Sequence, residues 1–446
     1  MRIVFQHIKR LLYFPLAGYF GFWARMYLRR WHPTVVTVIG SSGKTTLLHL
    51  IEAQLGATAR YSHNANSAFG IPFHILGLAR ESYRVYEWFL FAIIAPCAAL
   101  RRRLPESIYV TEADAERPGE GQFLAKLLNP HYLIWLSLEE AHAAQYDRLV
   151  PSRMEGGERL RAVEREMARE FGYFVEHTQA AAILRSDSAR IAEQAARTEV
   201  KKVWLEANDI SWIRIERERV AFARRTGGAL SVPALIPRDA GLSALAAVRV
   251  AGLLGTTPDT SFSRFSLPPG RGSVLKGIQD TTLIDSTYNA TIGGMDAMLD
   301  LFREYPARGE RWLVLGDMVE QGKSEELQHQ RIAEHILAAK PDRIVLVGPR
   351  LKAHTLPILL TKNYVIGRSS DNLDSGISSP QVYTCMTPRE AYEYLHQELK
   401  GGETILFKGA RFLEGAVEKL LANPEDAAKL CRRGKVWDRK RKRWGV

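Results

Sequence analysis

The sequence predicts an α/β protein: a central P-loop ATPase domain on a mostly parallel sheet, followed by a smaller C-terminal Rossmann-like α/β domain. Three observations carry this. A β-branched run, Val35 to Ile39, ends on Gly40, passes through Ser41-Ser42-Gly43-Lys44-Thr45-Thr46 and enters a helical pattern from Leu47 to Leu55. Strand-like and helical stretches then alternate, as parallel strands with helices on both faces require. Beyond a Pro- and Gly-punctuated stretch at Thr257 to Arg271 a second alternating set begins, without the G-x-G-x-x-G fingerprint.

At 446 residues the chain is too long for one core, so two or three domains are expected. They are an aromatic and basic segment over 1–33, a central ATP-binding domain over 34–260, a C-terminal domain over 261–428 and a basic tail over 429–446. The first segment holds Tyr13, Phe14, Tyr19, Phe20, Phe22, Trp23, Tyr27 and Trp31. Its uncharged run, Leu11 to Ala24, has 14 residues, fewer than the ~20 that a spanning helix needs. It contains Pro15, Gly18 and Gly21 and lacks a small-residue cleavage site, which argues against a removed signal peptide. Two readings stay open for it: an interfacial segment on an anionic membrane, or a helix packed on the body of the protein. Trp88 to Leu100, followed by Arg101-Arg102-Arg103, is also too short to span and equally open.

Strands are expected at Ser107 to Thr111, ending on Glu112, at Tyr132 to Leu138 and at Ala180 to Leu184, with a charged helix between about Pro151 and Glu176. Ligands of such sheets sit at the carboxyl ends of strands, where Gly40 and Glu112 both fall. In the second set, Thr282 to Asp285, Trp312 to Leu315 (closing on Gly316-Asp317), Arg343 to Val347 (closing on Gly348) and Thr404 to Phe407 (closing on Lys408-Gly409) read as strands.

The loop itself is the short form, G-x-x-G-K-T-T, because the position five before Gly43 is Val38, still in the strand. Backbone amides and a helix N-terminus converge there on a phosphate. Lys44 would reach the β- and γ-phosphates of ATP as a point charge, and the Thr45 hydroxyl would hold Mg²⁺.

The net charge of +12 does not imply nucleic acid. Residues 1–33 carry six basic residues and no acid, and residues 429–446 carry nine against Asp438, so the remainder of the chain is slightly acidic. The basic run Arg439 to Arg443 has no recognition module beside it, and a solvated tail is the default reading. Cys97, Cys385 and Cys431 form no CxxC pair, which indicates neither a disulfide framework nor a zinc ribbon and fits a reducing cytoplasm.

Taken in order, these motifs resemble the Mur ligases, and among them the MurF type. The loop Gly40 to Thr46 is similar to that family's. So is Asn64-Ala65-Asn66-Ser67-Ala68-Phe69-Gly70-Ile71-Pro72, apart from Ser67, and so are Val110-Thr111-Glu112-Ala113-Asp114 through Glu120, and Ala141-His142. Farther on, Asp285-Ser286-Thr287-Tyr288-Asn289-Ala290, Leu315 to Gly322 and Phe407-Lys408-Gly409-Ala410-Arg411 match the family's later runs. The resemblance spans roughly 34 to 425. It implies ATP-dependent, ADP-forming amide ligation through an acyl phosphate, joining an amino acid or dipeptide to a peptidoglycan precursor in the cytoplasm; peripheral contact with the inner face of the membrane belongs to the interfacial reading of residues 1–33. It makes Glu112 and His142 metal ligands with Thr45, sets Arg271 at the γ-phosphate, Asp285 at the ribose and Asn289 on the nucleotide side, and puts Asn64, Asn66, Lys408 and Arg411 on the acceptor side. Domain closure is implied as well.

Three departures bear on the transfer. No lysine lies between Lys126 and Lys201, so the family's carbamylated lysine has no counterpart, and by spacing Arg169 takes its place. The adenine-side asparagine falls on Ser243. The domain that grips the uridine-diphosphate handle is replaced by the 33 aromatic and basic residues, which suggests a lipid-linked acceptor. A same-fold ligase with another acceptor, such as a polyglutamate, and a catalytically reduced ATP-binding scaffold of cell-wall synthesis remain as alternatives.

Overall fold

The computed structural model describes residues 2–63, 65–79, 85–138, 143–154, 156–319, 325–362, 364–366, 380–409 and 412–442. They fold as two compact units, 1–207 with 243–259, and 208–242 with 260–446.

The first unit opens with α1 (Arg2–Trp31), followed by β1 (Thr34–Ile39), α2 (Lys44–Leu55), β2 (Ala59–Tyr61), α3 (Gly70–Leu76), α4 (Val85–Leu100), β3 (Ile108–Glu112), α5 (Glu120–Leu128) and β4 (Tyr132–Trp135). Then come α6 (Ala143–Tyr146), α7 (Gly156–Glu176), β5 (Ala181–Arg185), α8 (Ala189–Ala195) and β6 (Lys201–Leu205). The six strands form one parallel sheet in the order β2-β3-β1-β4-β5-β6. Val38 pairs with Glu112 and Ile39 with Trp135, so the phosphate loop leaves the sheet between β3 and β4.

α1 runs straight through Pro15 as a 30-residue helix. Its face Phe20, Ala24, Tyr27 and Trp31 is buried in the same core as Tyr109, Trp135 and Phe171. The aromatic residues thus divide between two duties: some build the core, while Phe22 on the opposite face is 61% exposed. α4 lies alongside α1 in the same direction, as Phe20 meets the Trp88 ring and Arg30 donates to the Ala99 carbonyl at 2.6 Å. Among the described residues no helix is long and apolar enough to cross a membrane.

Residues 208–242, read on sequence as part of the central domain, group with the second unit. They form a three-stranded antiparallel sheet, β7 (Ile210–Ile215), β8 (Val220–Arg224) and β9 (Ala229–Val232), and lead into α9 (Arg238–Leu253). The second unit continues with β10 (Ser273–Lys276), β11 (Thr282–Ser286), α10 (Ile292–Glu304), β12 (Arg311–Gly316), α11 (Glu325–Ala339), β13 (Arg343–Val347), α12 (Leu356–Leu360), β14 (Val365–Ile366) and β15 (Gln381–Cys385). It ends with α13 (Pro388–Glu398), β16 (Thr404–Lys408), α14 (Glu414–Lys419) and α15 (Lys435–Lys442). Its seven strands run β10-β11-β16-β12-β13-β15-β14, all parallel except the β10–β11 pair.

β16 lies between β11 and β12, and this position explains Gly409. A Cβ there would stand 2.5 Å from the Gly316 backbone, so the two strand ends approach as they do only because Gly409 has no side chain. The basic tail is not a free coil where described: in α15, Arg441 pairs with Glu418 and with Asp438.

Candidate active site

The phosphate loop is shaped by Gly40 and by a residue that sequence reasoning did not single out, Ser137. Gly40 has φ +138°, and a Cβ there would stand 3.0 Å from the Ser137 backbone, so no other residue fits without moving the loop. The Ser137 carbonyl accepts the Ser41 amide at 3.2 Å, and its hydroxyl accepts the Ser42 amide at 3.0 Å. Gly43, at φ +79°, starts α2 without a side-chain cap, and Lys44, Thr45 and Thr46 form the first turn of the helix. Uncapped amides at a helix N-terminus favour an anion.

The side chains around this loop pair with the end of β3. Lys44 is buried; its ammonium donates to the Gly40 carbonyl at 2.5 Å and lies 3.1 Å from the Asp114 carboxylate. The Thr45 hydroxyl donates to Glu112 Oε2 at 2.9 Å. Two oxygen donors side by side at a helix N-terminus are the set that Mg²⁺ takes, so these residues fit the ion. Asp114 also joins the next segment, since its amide donates to the Asn66 carbonyl at 2.9 Å. The structure therefore gathers Lys44, Thr45, Glu112 and Asn66 around Asp114. Asn64, His142 and Arg411 lie outside the described residues.

Two carboxylates farther along the chain, Glu120 buried and Glu170 half-buried, hold backbone amides in place. Glu120 Oε1 accepts the Ala68 amide at 2.8 Å and the Tyr13 hydroxyl at 2.9 Å, which ties α1 to the segment carrying Asn66. Burial raises the Glu120 carboxyl above the usual range. Arg169, the residue in the place of the family's modified lysine, lies exposed on α7. Its neighbour Glu170 is the one turned inward, accepting the amides of Gly119, Gly121 and Gln122 at 2.9, 3.1 and 3.4 Å. It supplies from another helix the cap that Gly119 cannot give α5.

The second unit holds its own group of candidates at the carboxyl ends of β11 and β16. Asp285 is fully buried; Oδ1 accepts the Thr287 amide at 3.0 Å and its hydroxyl at 2.6 Å, and desolvation raises its carboxyl. Lys408 donates to the Asn289 carbonyl at 2.7 Å. Burial, with Arg271 as a like charge nearby, pulls its ammonium down to about 7, against the opposing pull of Asp285. The Arg271 guanidinium lies over the Tyr288 ring, 4.2 Å from its centre. Asn289 turns its side chain onto its own segment, accepting the Ala290 amide at 2.8 Å.

Comparisons with known proteins point one way. Residues 270–411 match the Mur ligase glutamate ligase domain. The UDP-N-acetylmuramoyl-tripeptide--D-alanyl-D-alanine ligase of Escherichia coli (strain K12) is 28% identical over 336 residues, covering 72% of this chain and 65% of that protein. The chain thus spans just under two thirds of that relative's length. The ligase of the same name from Bacillus subtilis (strain 168) is 23% identical, covering 90% and 79%. Among solved structures, MurF ligase from Thermotoga maritima in complex with ADP superposes with a TM-score of 0.66 at 20% identity, covering 96% of this chain and 84% of that one. That likeness speaks for the fold.

Proposed function

We propose, from the premise that this chain is a MurF-like member of the Mur ligase family, that it is an ATP-dependent, ADP-forming ligase acting on a cell-wall peptide precursor. In this reaction an acceptor carboxylate oxygen attacks the γ-phosphorus of ATP and ADP leaves. The amine nitrogen of an amino acid or dipeptide then attacks the acyl carbon, phosphate leaves and a proton is released. The observation that carries the reading is the Lys44–Asp114 and Thr45–Glu112 pairing on an uncapped helix N-terminus. Lys44 holds positive charge beside the transferring phosphoryl, and its pairing with Asp114 fixes the direction of that charge before ATP arrives. Thr45 and Glu112 hold Mg²⁺, which when bound neutralises phosphate charge. Asn66, joined through its carbonyl to Asp114, stands on the acceptor side. Arg271, Asp285, Asn289 and Lys408 form the nucleotide- and acceptor-side group of the second unit.

The test is acceptor-dependent ADP release by the full chain with ATP, Mg²⁺, D-alanyl-D-alanine and a panel of muramyl peptide acceptors, free and lipid-linked. Lys44→Ala is expected to lower the rate by about 100-fold or more, as loss of one transition-state charge partner does. Absence of turnover by the unaltered chain with every acceptor would replace the ligase with an ATP-binding scaffold.

One observation favours a further step, peripheral attachment to an anionic membrane. The outer faces of α1 and α4 expose Phe22 at 61%, Phe89 at 68% and Ile93 at 73%, and exposed Arg25, Arg29, Arg102 and Arg103 follow at the matching ends of both helices. Apolar side chains bounded by arginines suit the headgroup boundary of an anionic leaflet. Flotation with anionic and with neutral vesicles decides it: equal recovery in the two removes the membrane from the reading.

A further inference from the structure

α2 carries more than the phosphate loop. His49 and Glu52, three residues apart, share one face of the helix. Two residues beyond β2 comes His63, placed by the strand register and by the Ser62 amide, which donates to the Val110 carbonyl at 3.0 Å. His63 Nε2 lies 2.9 Å and His49 Nδ1 3.4 Å from the same oxygen, Glu52 Oε2. All three donor atoms fall within 4.8 Å of one another. The two imidazoles lie side by side, centres 4.5 Å apart and planes 30° apart.

These distances match what a small divalent ion demands. Metal bonds of about 2.0–2.2 Å at tetrahedral angles separate neighbouring donors by roughly 3.4 Å. The donor set, two imidazole nitrogens and one carboxylate oxygen, suits zinc and its neighbours and not Mg²⁺, which takes oxygen. The side chains are 23%, 40% and 34% exposed, which leaves a fourth position for water.

We propose that His49, Glu52 and His63 form a binding site for a divalent transition-metal ion of the zinc class, separate from the oxygen pair of Thr45 and Glu112. The ion fastens the helix behind the phosphate loop to the segment leading into Asn66. The inference stands on these three side chains and not on the ligase reading.

The test is a Co²⁺ titration of the full chain after chelator treatment, followed by visible absorption, with Zn²⁺ in competition. One equivalent giving the intense bands of a four-coordinate site is expected. His63→Ala and, as a milder change, Glu52→Gln should each weaken binding by about 100-fold or more, while Glu112→Gln leaves it unchanged. The metal should raise the thermal midpoint of the unaltered chain and not that of Glu52→Gln, read by circular dichroism. Binding of less than one equivalent by the unaltered chain, or equal affinity in the His63 and Glu52 variants, overturns the site.

Discussion

Membrane attachment through α1 and α4 is open to a quantitative test with the double substitution Phe89→Ser and Ile93→Ser. Full burial of such a side chain stabilises by about 1.5–3 kcal/mol. Phe89 and Ile93 keep 68% and 73% of their surface outside the protein, so most of that gain is still available to a bilayer. The pair is then worth roughly 3 kcal/mol, which corresponds to about two orders of magnitude in the partition constant. Because neither side chain supports the core, the fold should be unaffected within about 0.5 kcal/mol. The assay is cosedimentation with anionic vesicles over a lipid titration, with thermal unfolding as the control for folding. Exchanging Arg102 and Arg103 for Gln should cost about 1 kcal/mol each at low salt and little at high salt. A double-serine variant that partitions as the unaltered chain does, with an unchanged thermal midpoint, refutes the reasoning.

Other outcomes follow from single contacts. Gly40→Ala should abolish nucleotide binding, measured by calorimetry, because its Cβ would collide with the Ser137 backbone at 3.0 Å and φ there is +138°. Glu170→Ala strips three amides at the start of α5 and should destabilise by about 2–3 kcal/mol in urea titrations of the first unit's transition. Lys408 is pulled down to about 7 from 10.5, so between those values the unfolded chain holds a proton that the folded chain has released. Stability should therefore rise with pH across that window, and Lys408→Met should flatten the rise in denaturation midpoints taken at several pH values. Trp135→Ala, at a fully buried position in β4, should cost about 3–5 kcal/mol in the same titrations.

What could be read from sequence was what is local. The phosphate loop announces itself because glycine, lysine and threonine must follow one strand in order, and β13 was bounded correctly because Arg343 to Val347 is one uninterrupted apolar run after its first residue. Contacts made across distance left no such trace. Ser137 is an ordinary serine until β4 carries it beside Gly40, and Asp114 becomes the partner of Lys44 only through the pairing of β1 with β3. Arg169 and Glu170 are one step apart in sequence but about 100° apart around a helix. Spacing alone therefore selected the outward residue and passed over the inward one. The antiparallel strands of 210–232 were missed because Arg, Glu and Gly interrupt them, so that turns and strand faces look alike. The three histidine and glutamate ligands escaped notice for the same reason as Ser137: His63 joins the other two only when β2 returns to the sheet.

Terminal helices with exposed apolar faces are often regarded as detachable, to be trimmed so that the remainder can be studied in solution. α1 does not permit this. Cutting it away would strip Phe20, Ala24, Tyr27 and Trp31 from the interior and take the Tyr13 hydroxyl from Glu120. A shortened chain would meet lipid, or clump with its own copies, through a freshly opened wound rather than through any natural contact. Point changes on the outward side of the helix alone distinguish adhesion from collapse.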